Sequence, residues 1–123
     1  MSQARILYVE DNSELRFLTC QMLDGSGYDV VSAATLEEAL QALDNGPFDL
    51  VFTDLSLGRL SDEETLKVIL KHAAGIPVVV MTGSQGDRQK WLDLGAADHE
   101  QKPFTREPEA IAASILSRKN PSA

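Results

Sequence analysis

Cysteine is all but missing from this sequence, and that scarcity limits how the fold can be held together. Cys20 is the only one in 123 residues, so no disulfide can close within the chain. It falls among Leu15, Leu18, Met22 and Leu23 in a helical pattern, which assigns it to packing. Long apolar runs are also missing: none approaches the roughly 20 residues needed to cross a bilayer. The opening Met1-Ser2-Gln3-Ala4-Arg5 lacks the pattern of a secretory signal, so a cytoplasmic location without a membrane partner is expected. Positive charge is scarce as well. With 11 basic residues against 19 acidic ones, and the bases scattered rather than gathered in a stripe, no direct contact with nucleic acid is expected. Linkers, repeats and low-complexity stretches are absent apart from Asn120-Pro121-Ser122-Ala123. The length then fits a single domain over residues 1–123, with an ordered core over about 4–119 and no room for an effector domain.

What the chain does have is alternation. Ile6-Leu7-Tyr8-Val9 reads as a strand ending on Glu10 and Asp11, and Ser13 offers a cap for a helix with Leu15, Leu18, Met22 and Leu23 on one face. Tyr28 to Ala33 is a second strand. Thr35-Leu36-Glu37-Glu38 forms a capping box for a helix through Leu36, Ala39, Leu40 and Leu43, closed by Asn45-Gly46-Pro47. Asp49-Leu50-Val51-Phe52-Thr53-Asp54 is a buried strand that stops on a carboxylate. Ser61-Asp62-Glu63-Glu64 caps a third helix, reaching Gly75 through Leu66, Ile69 and Leu70, and Ile76 to Met81 is a central strand ending on Thr82. A short fourth helix holds Trp91, Leu92 and Leu94 and stops at Gly95. Asp98 to Lys102 forms a last strand with no apolar residue, and Thr105 caps a final helix with Pro108 in its first turn. This α/β alternation, with short connections, predicts a parallel sheet covered by helices on both faces.

Right-handed crossovers align the carboxyl ends of such strands on one edge. Glu10, Asp11, Asp54, Thr82 and Lys102 then converge. Any one of them is explicable as a turn or cap residue, but placement at four strand ends is not. Three carboxylates in one pocket repel unless a cation compensates, and a hard divalent ion such as Mg2+, which takes oxygen ligands, suits Asp11 and Asp54 directly and Glu10 through water. Lys102 and Thr82 would contact phosphoryl oxygens, a set suited to phosphoryl transfer with a carboxylate as nucleophile.

Four motifs, in order, resemble the receiver domain of two-component response regulators: Ile6 to Asn12, Phe48 to Leu55, Ile76 to Gly83, and Gly95-Ala96-Ala97-Asp98 with Lys102-Pro103-Phe104. The resemblance covers essentially the whole chain. It implies a flavodoxin-like five-stranded parallel sheet of order 2-1-3-4-5. It makes Asp54 the phosphoacceptor from a histidine kinase or phosphotransfer protein, with Mg2+ held by Glu10, Asp11, Asp54 and the Ser56 carbonyl. Thr82 matches the residue that swings toward the phosphoryl group, and Lys102 the lysine that bonds it. A cis Lys102-Pro103 bond is common in the family, and Ser56 and Ser84 fall where relatives tune autodephosphorylation. The resemblance implies a signalling domain that catalyses only its own phosphorylation and dephosphorylation. Output would pass to a downstream protein through the face made by the fourth helix, fifth strand and fifth helix, the family's usual route to a phosphorylation-dependent homodimer.

Several residues depart from the family pattern. His99 occupies the position of the switching aromatic residue and could bring a pH dependence, or it is a strand-edge residue without a signalling role. Glu100 and Gln101 replace apolar or mixed residues, so the last strand is expected to pair weakly, and the fourth helix and fifth strand to be distorted or mobile. Gly58 stands for a usual proline and Asp62 for a frequent glycine, placing acid near the metal side. His72 reads as a solvated helix-terminal residue. Three other readings remain: a constitutive interaction module that keeps the fold, a receiver cut from a hybrid histidine kinase, and a metal-dependent phosphatase. The last would need a second acid to protonate the leaving group, often two residues after the nucleophile, where Ser56 stands. Flavin binding is not expected, because no Ser/Thr-rich phosphate loop follows the first strand.

Overall fold

Four runs with apolar cores and one polar run become the strands of a single sheet. The computed structural model describes residues 3–83, 88–102 and 106–119. In chain order the elements are β1 (Arg5–Val9), α1 (Ser13–Gly25), β2 (Asp29–Ala33), α2 (Leu36–Asp44), β3 (Leu50–Asp54), α3 (Asp62–Ala73), β4 (Val78–Thr82), α4 (Arg88–Leu94), β5 (Asp98–Gln101) and α5 (Pro108–Lys119). The sheet order is β2-β1-β3-β4-β5 with every pair parallel, the flavodoxin-like arrangement expected.

The central strands β3 and β4 are buried at every position, as strands covered on both faces must be. One face packs Leu7, Val9, Val51, Val78 and Val80 against α2, α3 and Trp91 of α4. The other packs Ile6, Tyr8, Leu50, Phe52, Val79 and Met81 against Leu23 of α1 and Ile111, Ala112 and Ile115 of α5.

Local chemistry sets the helix ends. Asn12, rather than Ser13, caps α1: its backbone is extended and its Oδ1 accepts the Leu15 N–H at 2.9 Å, so Ser13 becomes the first helical residue. Thr35 caps α2 as expected, but Glu38 accepts from the Ala34 N–H, one residue before the cap, so the box is not closed on Thr35 itself. At α3 the box between Ser61 and Glu64 is complete. Gly95 closes α4 at φ +119°, and a Cβ there would lie 3.0 Å from Leu70 Cδ1, so the backbone conformation and the close approach both call for glycine. The expected cap Thr105, the Lys102-Pro103 bond and Ser84 lie outside the described residues.

Two more expectations are corrected. On α1 the buried stripe is Thr19 and Leu23 with half-buried Leu15, whereas Leu18 is 56% and Met22 43% exposed, and Phe17 beside them is 61% exposed. Positions 15, 19 and 23 follow the i, i+4 row that faces the sheet, and Leu18 and Met22 stand about 100° further round the helix. The second correction concerns the distortion expected at the sheet edge. β5 forms an unbroken ladder with β4 over four registered pairs, Asp98 to Val79 through Gln101 to Thr82, and α4 is a helix of seven residues.

Candidate functional site

A parallel sheet brings its strand ends together, and here they carry polar groups. Glu10 follows β1 and is fully buried, Asp54 is the last residue of β3 and is nearly so, and Thr82 ends β4. Lys102 lies one step beyond β5, where its N–H donates to the Thr82 carbonyl at 2.7 Å and prolongs the ladder. That bond fixes the base of the lysine. Its Nζ then donates to Glu10 Oε1 at 2.9 Å and to Asp54 Oδ2 at 2.8 Å, so one ammonium bridges two buried carboxylates.

The carboxylates are further tied to the backbone. Glu10 Oε2 accepts the Asn12 N–H at 3.1 Å, and Asp54 Oδ1 accepts the Ser56 N–H at 3.2 Å. Arg16, one turn after the α1 cap, donates from Nη1 to the Glu10 carbonyl at 2.8 Å. Burial pushes the Glu10 carboxyl up from its ordinary range, and the bonds from Lys102 and Asn12 pull it only part of the way back. For Lys102 burial pulls downward, but the bonds and charges of Asp54 and Glu10 outweigh it and hold the ammonium above its usual value.

Asp11 is exposed at the mouth of this pocket, and carboxylate oxygens of Glu10, Asp11 and Asp54 lie within 4.8 Å of one another. Two ligands on opposite sides of one magnesium ion stand about 4.2 Å apart, given bonds of about 2.1 Å. The three hard oxygen donors suit the ion in kind, and their spread of up to 4.8 Å would have to close by a few tenths of an ångström for opposite ligands to share one. Ser56 is exposed, and its Oγ reaches Asp62 Oδ1 at 3.5 Å, so Asp62 does stand on this side of the site.

Thr82 and His99 form a second cluster. Side chains alternate along each strand, and Asp54 registers with Met81 rather than with Thr82. Thr82 therefore leaves the sheet on the face opposite to Met81, where its Oγ1 meets His99 Nε2 at 2.7 Å. On the other face, Asp98 and Glu100 are buried acids. Arg88 of α4 holds Asp98 Oδ1 at 2.7 Å through Nη2 and 3.1 Å through Nε, and Arg106 bonds both Asp98 and Glu100. Burial pushes Asp98 up, but the Arg88 bonds, the His99 N–H and the arginine charges together leave it below the ordinary range. These ion pairs replace the apolar packing whose lack suggested a weak strand. His72 stands in the last turn of α3, as expected of a helix-terminal residue, and there also joins α3 to α2 through an exposed contact with Asp44 at 2.9 Å.

Sequence reasoning thus named Glu10, Asp11 and Lys102, which meet around Asp54, and Thr82, which bonds His99 in the second cluster, but missed Asn12, Arg16, Arg88 and Arg106. Only the first two carried a signal: an Asn directly before a helix, and an arginine four residues on.

The family model of the response regulator receiver domain matches residues 6–115. The chain belongs to that family. Among curated relatives, this receiver is 38% identical over 117 residues to the transcriptional regulatory protein CpxR of Escherichia coli strain K12, covering 93% of the chain and 50% of the relative. It is 34% identical to the alkaline phosphatase synthesis transcriptional regulatory protein PhoP of Bacillus subtilis strain 168, covering 93% and 49%. The receiver therefore spans about half the length of those relatives. A CheY-like receiver structure from Methanospirillum hungatei JF-1 superposes with a TM-score of 0.84 at 28% identity, covering 99% of this chain and 100% of that one.

Proposed function

We propose that this chain is a single signalling receiver, residues 1–123, that takes a phosphoryl group onto Asp54 from the phosphohistidine of a histidine kinase or phosphotransfer protein. The observation that carries the reading is the Lys102 ammonium bridging Asp54 and Glu10. An Asp54 carboxylate oxygen attacks phosphorus, the P–N bond of the donor breaks, and its electron pair returns to an imidazole nitrogen that then takes a proton. Lys102, already within bonding distance of Asp54, follows the charge onto a phosphoryl oxygen, and Thr82 donates to another. Glu10, Asp11, Asp54 and the Ser56 carbonyl would hold Mg2+, which supplies charge neutralisation at the oxygens in transfer. The domain would act in the cytoplasm and catalyse only its own phosphorylation and dephosphorylation. The signal would leave through the α4-β5-α5 face to a downstream protein or a second copy, by a shift between two conformations.

The test is intact mass after incubation with acetyl phosphate, with and without magnesium, beside Asp54→Asn. A gain of one phosphoryl group that needs both magnesium and Asp54 is expected. No gain under any condition favours the constitutive interaction module instead.

A further inference from the structure

The contact between Thr82 and His99 poses a problem of proton supply. A threonine hydroxyl carries one proton, and a given imidazole nitrogen either donates or accepts. The 2.7 Å separation of Oγ1 and Nε2 admits two arrangements. With Nε2 bare, the hydroxyl donates its proton to the ring. With Nε2 protonated, the ring donates to Oγ1 and the hydroxyl proton points elsewhere. Only the second arrangement lets Thr82 donate to a phosphoryl oxygen on Asp54 while keeping its bond to the ring.

We propose that His99 is a positioning residue for the phosphorylated state: as an acceptor it draws the Thr82 proton away from Asp54, and as a donor it turns that proton toward the phosphoryl group. The inference rests on the reading of Asp54 as phosphoacceptor. It differs from an aromatic gate that merely fills the space Thr82 vacates, because a ring without nitrogen can do neither.

The surroundings suit such a device. Among the described residues, the charged groups around the ring are Arg88 from α4, and Asp98 and Glu100 from its own strand, with Arg106 bonded to both acids. From β4 the contact is the uncharged Thr82. Burial pulls the imidazole below its ordinary value, Glu100 and Asp98 push it up, Arg88 pulls it down, and the net direction is down. The ring is therefore neutral at pH 7, with the acceptor arrangement requiring its hydrogen on Nδ1. The neutral ring reaches the donor arrangement only by moving its hydrogen from Nδ1 to Nε2; where Nδ1 is the preferred site, protonation and phosphorylation favour one another, and by reciprocity each strengthens the other by the same factor.

The chain holds only two histidines, which makes the test direct. Imidazole nitrogen and carbon resonances are titrated with and without magnesium and beryllofluoride, a phosphoryl analogue. The expected result is a bare Nε2 in the neutral, ligand-free ring, and uptake of a proton by His99 at higher pH once the analogue is bound. In parallel, analogue affinity is compared between wild type and His99→Phe. Relative to the variant, wild type should gain about fivefold between about pH 7.5 and 5.5, the worth of one hydrogen bond. An Nε2 that carries hydrogen in the ligand-free neutral ring overturns the proposal, as does equal pH dependence in the two proteins. If beryllofluoride binds wild type and Asp54→Asn equally poorly at every pH, the phosphoacceptor reading itself fails and this proposal falls with it. Binding that needs Asp54 but ignores His99 sinks only the latter.

Discussion

Lys102 is the residue on which buried Glu10 and Asp54 depend. Glu10 is fully enclosed, and its side-chain partners named above are the lysine ammonium and one backbone N–H. Lys102→Met keeps much of the stem and removes the charge, so the variant should lose about 1–3 kcal/mol at pH 7. The sign with pH follows from Glu10. Its folded-state pKa is raised, so the folded protein holds that proton more tightly than the unfolded chain does. That contribution is fully present below the ordinary carboxylate value and is lost as pH rises through the raised one. The deficit of Lys102→Met should therefore shrink on acidification, as urea unfolding at pH 7 and at about pH 5 would show; an equal deficit at both rules out Glu10 as its source. Glu10 and Lys102 stand 92 residues apart in sequence, and their meeting was legible only because a parallel sheet aligns strand ends.

At the scale of elements, α1 separates what periodicity reveals from what it hides. Two adjacent helical rows are both apolar, 15-19-23 through Leu15 and Leu23 and 18-22 through Leu18 and Met22, and sequence spacing alone does not say which meets the sheet. Leu23→Ala should cost about 2–5 kcal/mol by opening a cavity, whereas Leu18→Ala should change stability by no more than about 0.5 kcal/mol. Denaturant midpoints of the two variants decide the matter. The turn after α4 gives a prediction of different origin: Gly95→Ala forces a side chain into a left-handed conformation and against Leu70, and should cost more than about 1 kcal/mol. For β5 the sequence offered four polar residues and no sign of their partners, because Arg88 and Arg106 reach Asp98 from the helix before the strand and the loop after it. With its folded pKa lowered, Asp98 contributes stability that is present above the ordinary Asp value and lost as pH falls through the lower one. Asp98→Asn should flatten that acid limb in a pH series of thermal melts, and an unchanged limb would assign acid unfolding to other carboxylates.

Over the whole molecule, the sheet order and helix placement were readable because each strand and most caps are local signals, repeated along the chain and mutually consistent. The convergence of Glu10, Asp11, Asp54 and Lys102 came with that topology. The ion pairs of β5 and the bond between Thr82 and His99 were not readable, since they depend on which side chain leaves which face at the edge. The net charge of −8 is a property of the whole as well. Raising sodium chloride from about 0.01 to 0.15 M shortens the screening length from about 30 to 8 Å and relieves self-repulsion, so the melting temperature should rise; a fall would mean that the surface ion pairs outweigh the repulsion.

One consequence of β5 reaches beyond this single molecule. It is one of the two edges of the sheet, and its two inward-facing side chains are carboxylates clamped by arginines. A foreign strand that tried to extend the sheet there would set its own apolar face beside those ions rather than beside a greasy neighbour. Charge turned inward at a sheet border is a known guard against templated aggregation, and on this border of the sheet β5 carries it.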